Sequence, residues 1–108
     1  MTKKQIIIKA HHLDSLSEKT RGVMFQDKII PTFLRTRFGI HTFFVRNPLD
    51  VVIMDGNFRV VKIEESLKPW RFFFWNPKYS NVLELQKESI GKIKIKKGVT
   101  MKLLLTHP

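Results

Sequence analysis

The run Val51-Val52-Ile53-Met54, closed by Asp55-Gly56-Asn57 and followed at once by Phe58 to Ile63, constrains this chain more than any other stretch. Four consecutive apolar residues, three of them β-branched, fit a strand covered on both faces, so this strand should be central. The Asp-Gly turn folds the next strand back on it as a hairpin. In Phe58-Arg59-Val60-Val61-Lys62-Ile63 polar residues fall on both faces, which places the second strand near a sheet edge.

Other short runs supply partners for this hairpin. Gln5 to His12, with Ile6, Ile7 and Ile8 at its centre, reads as a strand, as do Ile40 to Val45, Val82 to Leu85 and Thr100 to Leu105. Ser15-Leu16-Ser17-Glu18 is a capping box that opens a short helix stopping at Gly22, with Val23-Met24-Phe25 tying its end to the core. One or two short helical turns are expected around Ser89. Strands at short intervals, without long helices between them, predict a mainly β fold. The expected architecture is a small antiparallel sandwich or partly closed barrel, jelly-roll-like, with one or two short helices. No repeat, linker or low-complexity tract divides the chain, so residues 1–108 are expected to form a single domain.

Composition narrows the chemistry. The 43% hydrophobic content suits one core, and a chain of 108 residues buries somewhat over ~60% of its unfolded surface, enough to fold without staples. There is no cysteine, which excludes disulfides, thiolate metal sites and cysteine nucleophiles. His11, His12, His41 and His107 lack ligand spacing, so neither a metal nor a cofactor is expected. No segment approaches the ~20 apolar residues of a membrane span, and a cytoplasmic protein without membrane contact is the expectation. The formal charge is +11, from 20 Lys+Arg against 9 Asp+Glu, and it is spread evenly along the chain. Such an excess favours polyanions, and abundant lysine and isoleucine without cysteine also suits a thermophile.

Five ordered blocks resemble the uncharacterised conserved family called domain of unknown function 192. They are Arg21-Gly22-Val23-Met24, Gly39-Ile40-His41-Thr42-Phe43, Pro48-Leu49-Asp50 leading through Met54 to Asp55-Gly56, Lys68-Pro69-Trp70-Arg71, and Val82-Leu83-Glu84-Leu85. Two positions depart from the family pattern: Glu88 stands where a glycine is usual, and Gly98-Val99 where Gly-Asp is usual. The resemblance implies a compact β-rich domain similar to a jelly-roll sandwich. It implies no reaction.

Polar residues interrupt the apolar pattern at a few places, and these are the candidate site. Asp50 opens the central strand after Asn47-Pro48-Leu49. It has three available roles: accepting backbone amides at the strand's start, pairing with Arg46 or Arg71, or acting as a base. His41 is either a ring satisfied by a backbone carbonyl or, with Asp50 and Arg46, the nearest thing to a hydrolase constellation. Trp70-Arg71-Phe72-Phe73-Phe74-Trp75 places five aromatics in six residues. Strand alternation sends 70, 72 and 74 one way and 71, 73 and 75 the other, so one small core cannot hide them all. A homodimer through the 70–75 run, with Phe73 or Trp75 contributing, is therefore expected as a candidate contact. Gly91 to Gly98 alternates as a strand with Lys92, Lys94 and Lys96 on one face and Ile93 and Ile95 on the other. That reads as an edge strand protected by lysine, or with the aromatics as a nucleic-acid surface. The leading functional expectation is a binding module whose site comprises His41, Arg46, Asp50, Trp70 and Arg71. The alternatives are a nucleic-acid-binding module and a hydrolase-like enzyme.

Overall fold

The structure is a computed structural model that describes residues 5–13, 31–37, 39–41 and 47–106. Among these the elements run β1 (Gln5–Leu13), β2 (Thr32–Arg35), β3 (Gly39–His41), β4 (Leu49–Met54), β5 (Val60–Leu67), β6 (Phe72–Phe74), β7 (Asn81–Gln86), α1 (Ser89–Ile93) and β8 (Thr100–Thr106). The helix expected after Ser15 and the strand residues 42–45 lie outside the described residues.

All six residues of β4 are buried, as its unbroken apolar run requires. It lies inside a six-stranded sheet ordered β5-β4-β7-β2-β1-β8, flanked antiparallel by β5 and β7. The expected β4–β5 hairpin forms, and β5 is an edge strand. Its turn is held by Asp55, whose Oδ1 accepts the amides of Asn57 at 2.9 Å and Arg59 at 3.0 Å. The left-handed residue of this turn is Phe58, with φ 61°, rather than Gly56.

The sheet is mixed rather than wholly antiparallel, because β1 runs parallel to both neighbours, β2 and β8. It also curls until its edges meet at one end. Val60 N–H donates to the Val99 carbonyl at 2.8 Å, Gly98 N–H to Val60 at 2.9 Å and Met101 N–H to Phe58 at 2.8 Å. Arg59 and Thr100 form an antiparallel bridge at the same seam. A mainly β, partly closed barrel is the result.

Curling gives the sheet two different faces, each with its own core. On the inner face Phe33, Val52, Met54, Leu83, Leu85 and Met101 pack together, and Ile90 and Ile95 close over them. On the outer face Leu34, Leu49, Val51, Ile53 and Val82 form a second cluster. A two-stranded ribbon of β3 and β6 covers this cluster, paired antiparallel through Gly39↔Phe74, Ile40↔Phe73 and His41↔Phe72. Gly39 is needed there: a Cβ would lie 2.6 Å from both the Phe73 carbonyl oxygen and the Phe74 ring.

Alternation holds from Phe72 to Trp75 as the sequence predicts, while Arg71 is exposed and Trp70 lies in the turn before β6, and the inward rings have a different role. Phe73 and Trp75 are buried in the outer cluster with ring centroids 5.7 Å apart, so they serve this chain's own core rather than a subunit contact. The outer face of a curled sheet needs a second set of apolar side chains, and these two rings supply it. Trp75 also satisfies its indole N–H on the Tyr79 carbonyl at 2.8 Å.

The expected strand at 91–97 is likewise replaced. Ser89–Ile93 is helical, bounded by left-handed Glu88 (φ 71°) and Lys94 (φ 65°), and Ile93 is exposed while Ile95 is buried. Lys92, Lys94 and Lys96 are exposed on this helix and the turn after it, not in a row along a strand. Helical folding here lets Ile90 and Ile95 enter one core together.

Phe73→Ala is expected to destabilise the fold by about 3–5 kcal/mol, and Phe72→Ala by no more than about 0.5 kcal/mol, in chemical denaturation. Equal effects would contradict the assignment of the two faces.

Candidate functional site

The fully buried Asp50 faces the inner side of β4, in step with Val52 and Met54. Between Leu49↔Leu67 and Val51↔Glu64 the β4–β5 ladder slips, and Ser66 takes φ 53°. A bulge of this kind leaves an amide without a ladder partner. Asp50 Oδ1 accepts that amide, Ser66 N–H, at 2.8 Å, and its Oδ2 accepts Ile90 N–H in the first turn of α1 at 2.9 Å. Of the three roles open to Asp50 from sequence, the geometry displays the amide acceptor. Its two partners lie 16 and 40 residues away in sequence, which no local pattern announces.

His41 pairs with Phe72 on the ribbon over the outer face, so its backbone and Asp50's carboxylate lie on opposite sides of the sheet. The side chain of His41 and the whole of Arg46 fall outside the described residues. The structure does bring the Gly39–His41 segment and the aromatic run together, as the two strands of one ribbon.

The outward side of that ribbon is the most unusual surface among the described residues. Trp70, Phe72 and Phe74 are 55%, 60% and 63% exposed. The rings of Phe72 and Phe74 lie nearly parallel, 11° apart in plane with centroids 5.7 Å apart. Trp70 has φ 63°, a conformation that residues with a Cβ seldom adopt, and Arg71 Nη1 reaches its carbonyl at 3.4 Å. Lys62 fastens the ribbon to β5, with its Nζ 5.2 Å from the Phe73 ring centroid and donating to the Phe74 carbonyl at 3.4 Å. Lys68, Arg71 and Lys78 are exposed along the same stretch. By contrast Lys92, Lys94 and Lys96 belong to the segment anchored by Ile90 and Ile95 on the inner face. The lysines and aromatics expected to form one nucleic-acid surface are therefore parted by the sheet.

Glu84 is the group that sequence reasoning missed. It sits mid-strand in β7, paired with Thr32 of β2 and Val51 of β4, and is 4% exposed. Alternation puts it on the outer face with Val82. Its Oε2 has no hydrogen-bond partner, and burial raises its pKa from 4.5 to about 8. At neutral pH this carboxyl holds its proton. The available signal was a glutamate inside the apolar run Val82-Leu83-Glu84-Leu85.

These features define a small, mainly β domain with a curled mixed sheet and an aromatic ribbon on its outer face. Residues 1–103 match the family DUF192, described as an uncharacterized ACR, and the chain belongs to that family. It is similar to the UPF0127 protein PH1112 of Pyrococcus horikoshii, with 34% identity over 77 residues, 66% of each chain. It is also similar to the UPF0127 protein PF1050 of Pyrococcus furiosus, with 30% identity over 76 residues, 65% of each. These matches thus span about two-thirds of the curated relatives' length. Among solved structures, a protein of unknown function from Novosphingobium aromaticivorans shares the fold, with TM-score 0.69 and 18% identity over 85% of this chain and 70% of that one. A protein from Sinorhizobium meliloti does so with TM-score 0.70 and 15% identity, covering 85% and 76%. No helix of the described residues is long and apolar enough to cross a membrane.

Two stability measurements check this reading. Asp50→Ala strands the buried Ile90 amide and the part-buried Ser66 amide and is expected to cost about 1–4 kcal/mol, whereas Asp50→Asn keeps one acceptor oxygen and should lose about half as much. A parent-like unfolding midpoint for Asp50→Ala would show that the carboxylate is not structural.

For Glu84 the folded-state pKa lies above the unfolded one, so the folded state binds the proton more tightly. Its contribution is fully present below pH 4.5 and is lost as pH rises through 8. The loss is at most about 1.4 kcal/mol per pH unit. Glu84→Gln should remove this slope, gaining on the parent between pH 5 and pH 9 in urea denaturation. A parent–variant difference that does not change with pH would refute it.

Proposed function

We propose that this chain is a small binding module and that the outward face of the β3–β6 ribbon is where it binds. The observation that carries the reading is the exposure of Phe72 and Phe74 on a strand pair whose opposite side is held in the core, with Trp70 exposed in the turn just before it. Large rings more than half exposed contribute less to a fold than buried ones, and clustered exposed aromatics are a common mark of an interaction surface. The ribbon is also braced for that task. Phe73 and Trp75 are packed beneath it, and Lys62 ties it to β5. A rigid platform loses little entropy when a partner settles on it. His41 and Arg71 flank the rings at the backbone level and belong to the proposed site, and Arg46 is kept as its sequence neighbour. The hydrolase alternative draws no support from Asp50, whose two oxygens are already engaged by backbone amides.

The test separates rings kept for folding from rings kept for contact. Trp70→Ala and Phe72→Ala are each expected to unfold within about 0.5 kcal/mol of the parent. In the parent, the Trp70 share of the emission should be open to iodide quenching, while the Trp75 share is protected. A loss of several kcal/mol from either substitution would make these rings structural and remove the reading.

A further inference from the structure

We infer that the occupant of the ribbon is single-stranded nucleic acid. This rests on the reading of the ribbon as the binding face and names its ligand. Flat exposed rings suit flat ligands: Phe72 and Phe74 lie with their planes 11° apart and their centroids 5.7 Å apart, and Trp70 is exposed in the turn that leads into them. Sheet aromatics that stack successive unpaired bases are a general solution to binding single strands, because every base has a π-face. A duplex keeps its base faces covered and offers such rings nothing to stack on.

Charge selects the same occupant. Residues 59–80 carry Arg59, Lys62, Lys68, Arg71 and Lys78 against Glu64 and Glu65, five positive and two negative, net +3, within a chain of +11. Lys62 stands at one edge of the ribbon, and Arg71 lies between Trp70 and Phe72 in the run itself. Cations bordering a row of rings match a ligand whose bases are flat and whose backbone is anionic. A second copy of the chain fits less well, since docking ribbon on ribbon would bring two cationic surfaces together. Lys92, Lys94 and Lys96 lie on the segment packed against the inner face, so they should not touch a strand laid over the rings. That separation provides an internal control.

The experiment is fluorescence anisotropy of a labelled oligothymidine of about ten nucleotides at ~50 mM salt, titrated with the full chain. The parent is expected to bind, and Phe72→Ala or Trp70→Ala to weaken binding about tenfold or more. Arg71→Gln should lower the slope of log K against log salt by about 0.7. Replacing Lys92, Lys94 and Lys96 together by Gln should change affinity less than Phe72→Ala does. Absence of binding by the parent overturns the inference. So does a loss confined to the triple lysine variant, which would mark plain charge attraction. If the parent ignores the oligonucleotide but self-associates in light scattering, and Phe72→Ala abolishes that, the ribbon is a contact face and only the ligand class is wrong. If ring variants alter neither property, the ribbon reading itself fails.

Discussion

One buried carboxylate holds the parts of this fold in register. Asp50 lies in the central strand β4, yet its oxygens serve an amide freed by the β5 bulge and an amide of the first turn of α1. Without this carboxylate the Ile90 amide would be an uncompensated buried donor and the part-buried Ser66 amide would lose its partner. The bulge at Ser66 and a second irregularity between Ile53 and Met54 let β5 twist away from a flat ladder. That strand begins where the curled sheet meets β8, through hydrogen bonds between Val60 and residues 98–99. On its other side, Asp50 fixes the start of the helix whose Ile90, with the nearby Ile95, closes the inner core. Strand, bulge and helix thus share one acceptor.

Curling has a consequence on the outer face. A sheet buried on its inner side still needs cover for Leu34, Val51, Ile53 and Val82 outside, and the β3–β6 ribbon with Phe73 and Trp75 provides it. Because successive side chains of a strand point to opposite faces, inserting Phe73 forces Phe72 and Phe74 outward. The exposed rings are therefore partly a geometric by-product of covering the outer core. Alternation does not require the outward residues to be aromatic, however, and polar side chains would satisfy the same backbone at lower cost in water. The choice of Trp70, Phe72 and Phe74 is what points to a partner. Glu84 adds a second feature of this face, a neutral acid held between Thr32 and Val51.

Membership of DUF192 and the likeness to two solved structures agree on the fold and leave the activity open. Asp50, the acidic residue most visible in the sequence, is occupied in building the core. The ribbon, by contrast, leaves Trp70, Phe72 and Phe74 more than half exposed.

Much was legible from local pattern. The all-apolar run of β4, the turn at Asp55-Gly56-Asn57, the edge character of β5 and the strand at Val82–Leu85 follow from period-two patterning and turn chemistry, which act over a few residues. So does the split of the aromatic run into inward and outward rings. Tertiary structure decided the rest. Lys92 to Lys96 alternates like a strand but begins in a helix, since Asp50 supplies an acceptor for Ile90 from 40 residues away and the inner core accepts Ile90 and Ile95. Phe73 and Trp75 enter their own chain's core because the sheet curls and exposes a second face needing cover. Parallel pairing of β1 with β2 and β8 is equally invisible locally. Periodicity reports which side chains share a face of a segment; which neighbour that face meets depends on hydrogen bonds and packing between segments far apart in the chain.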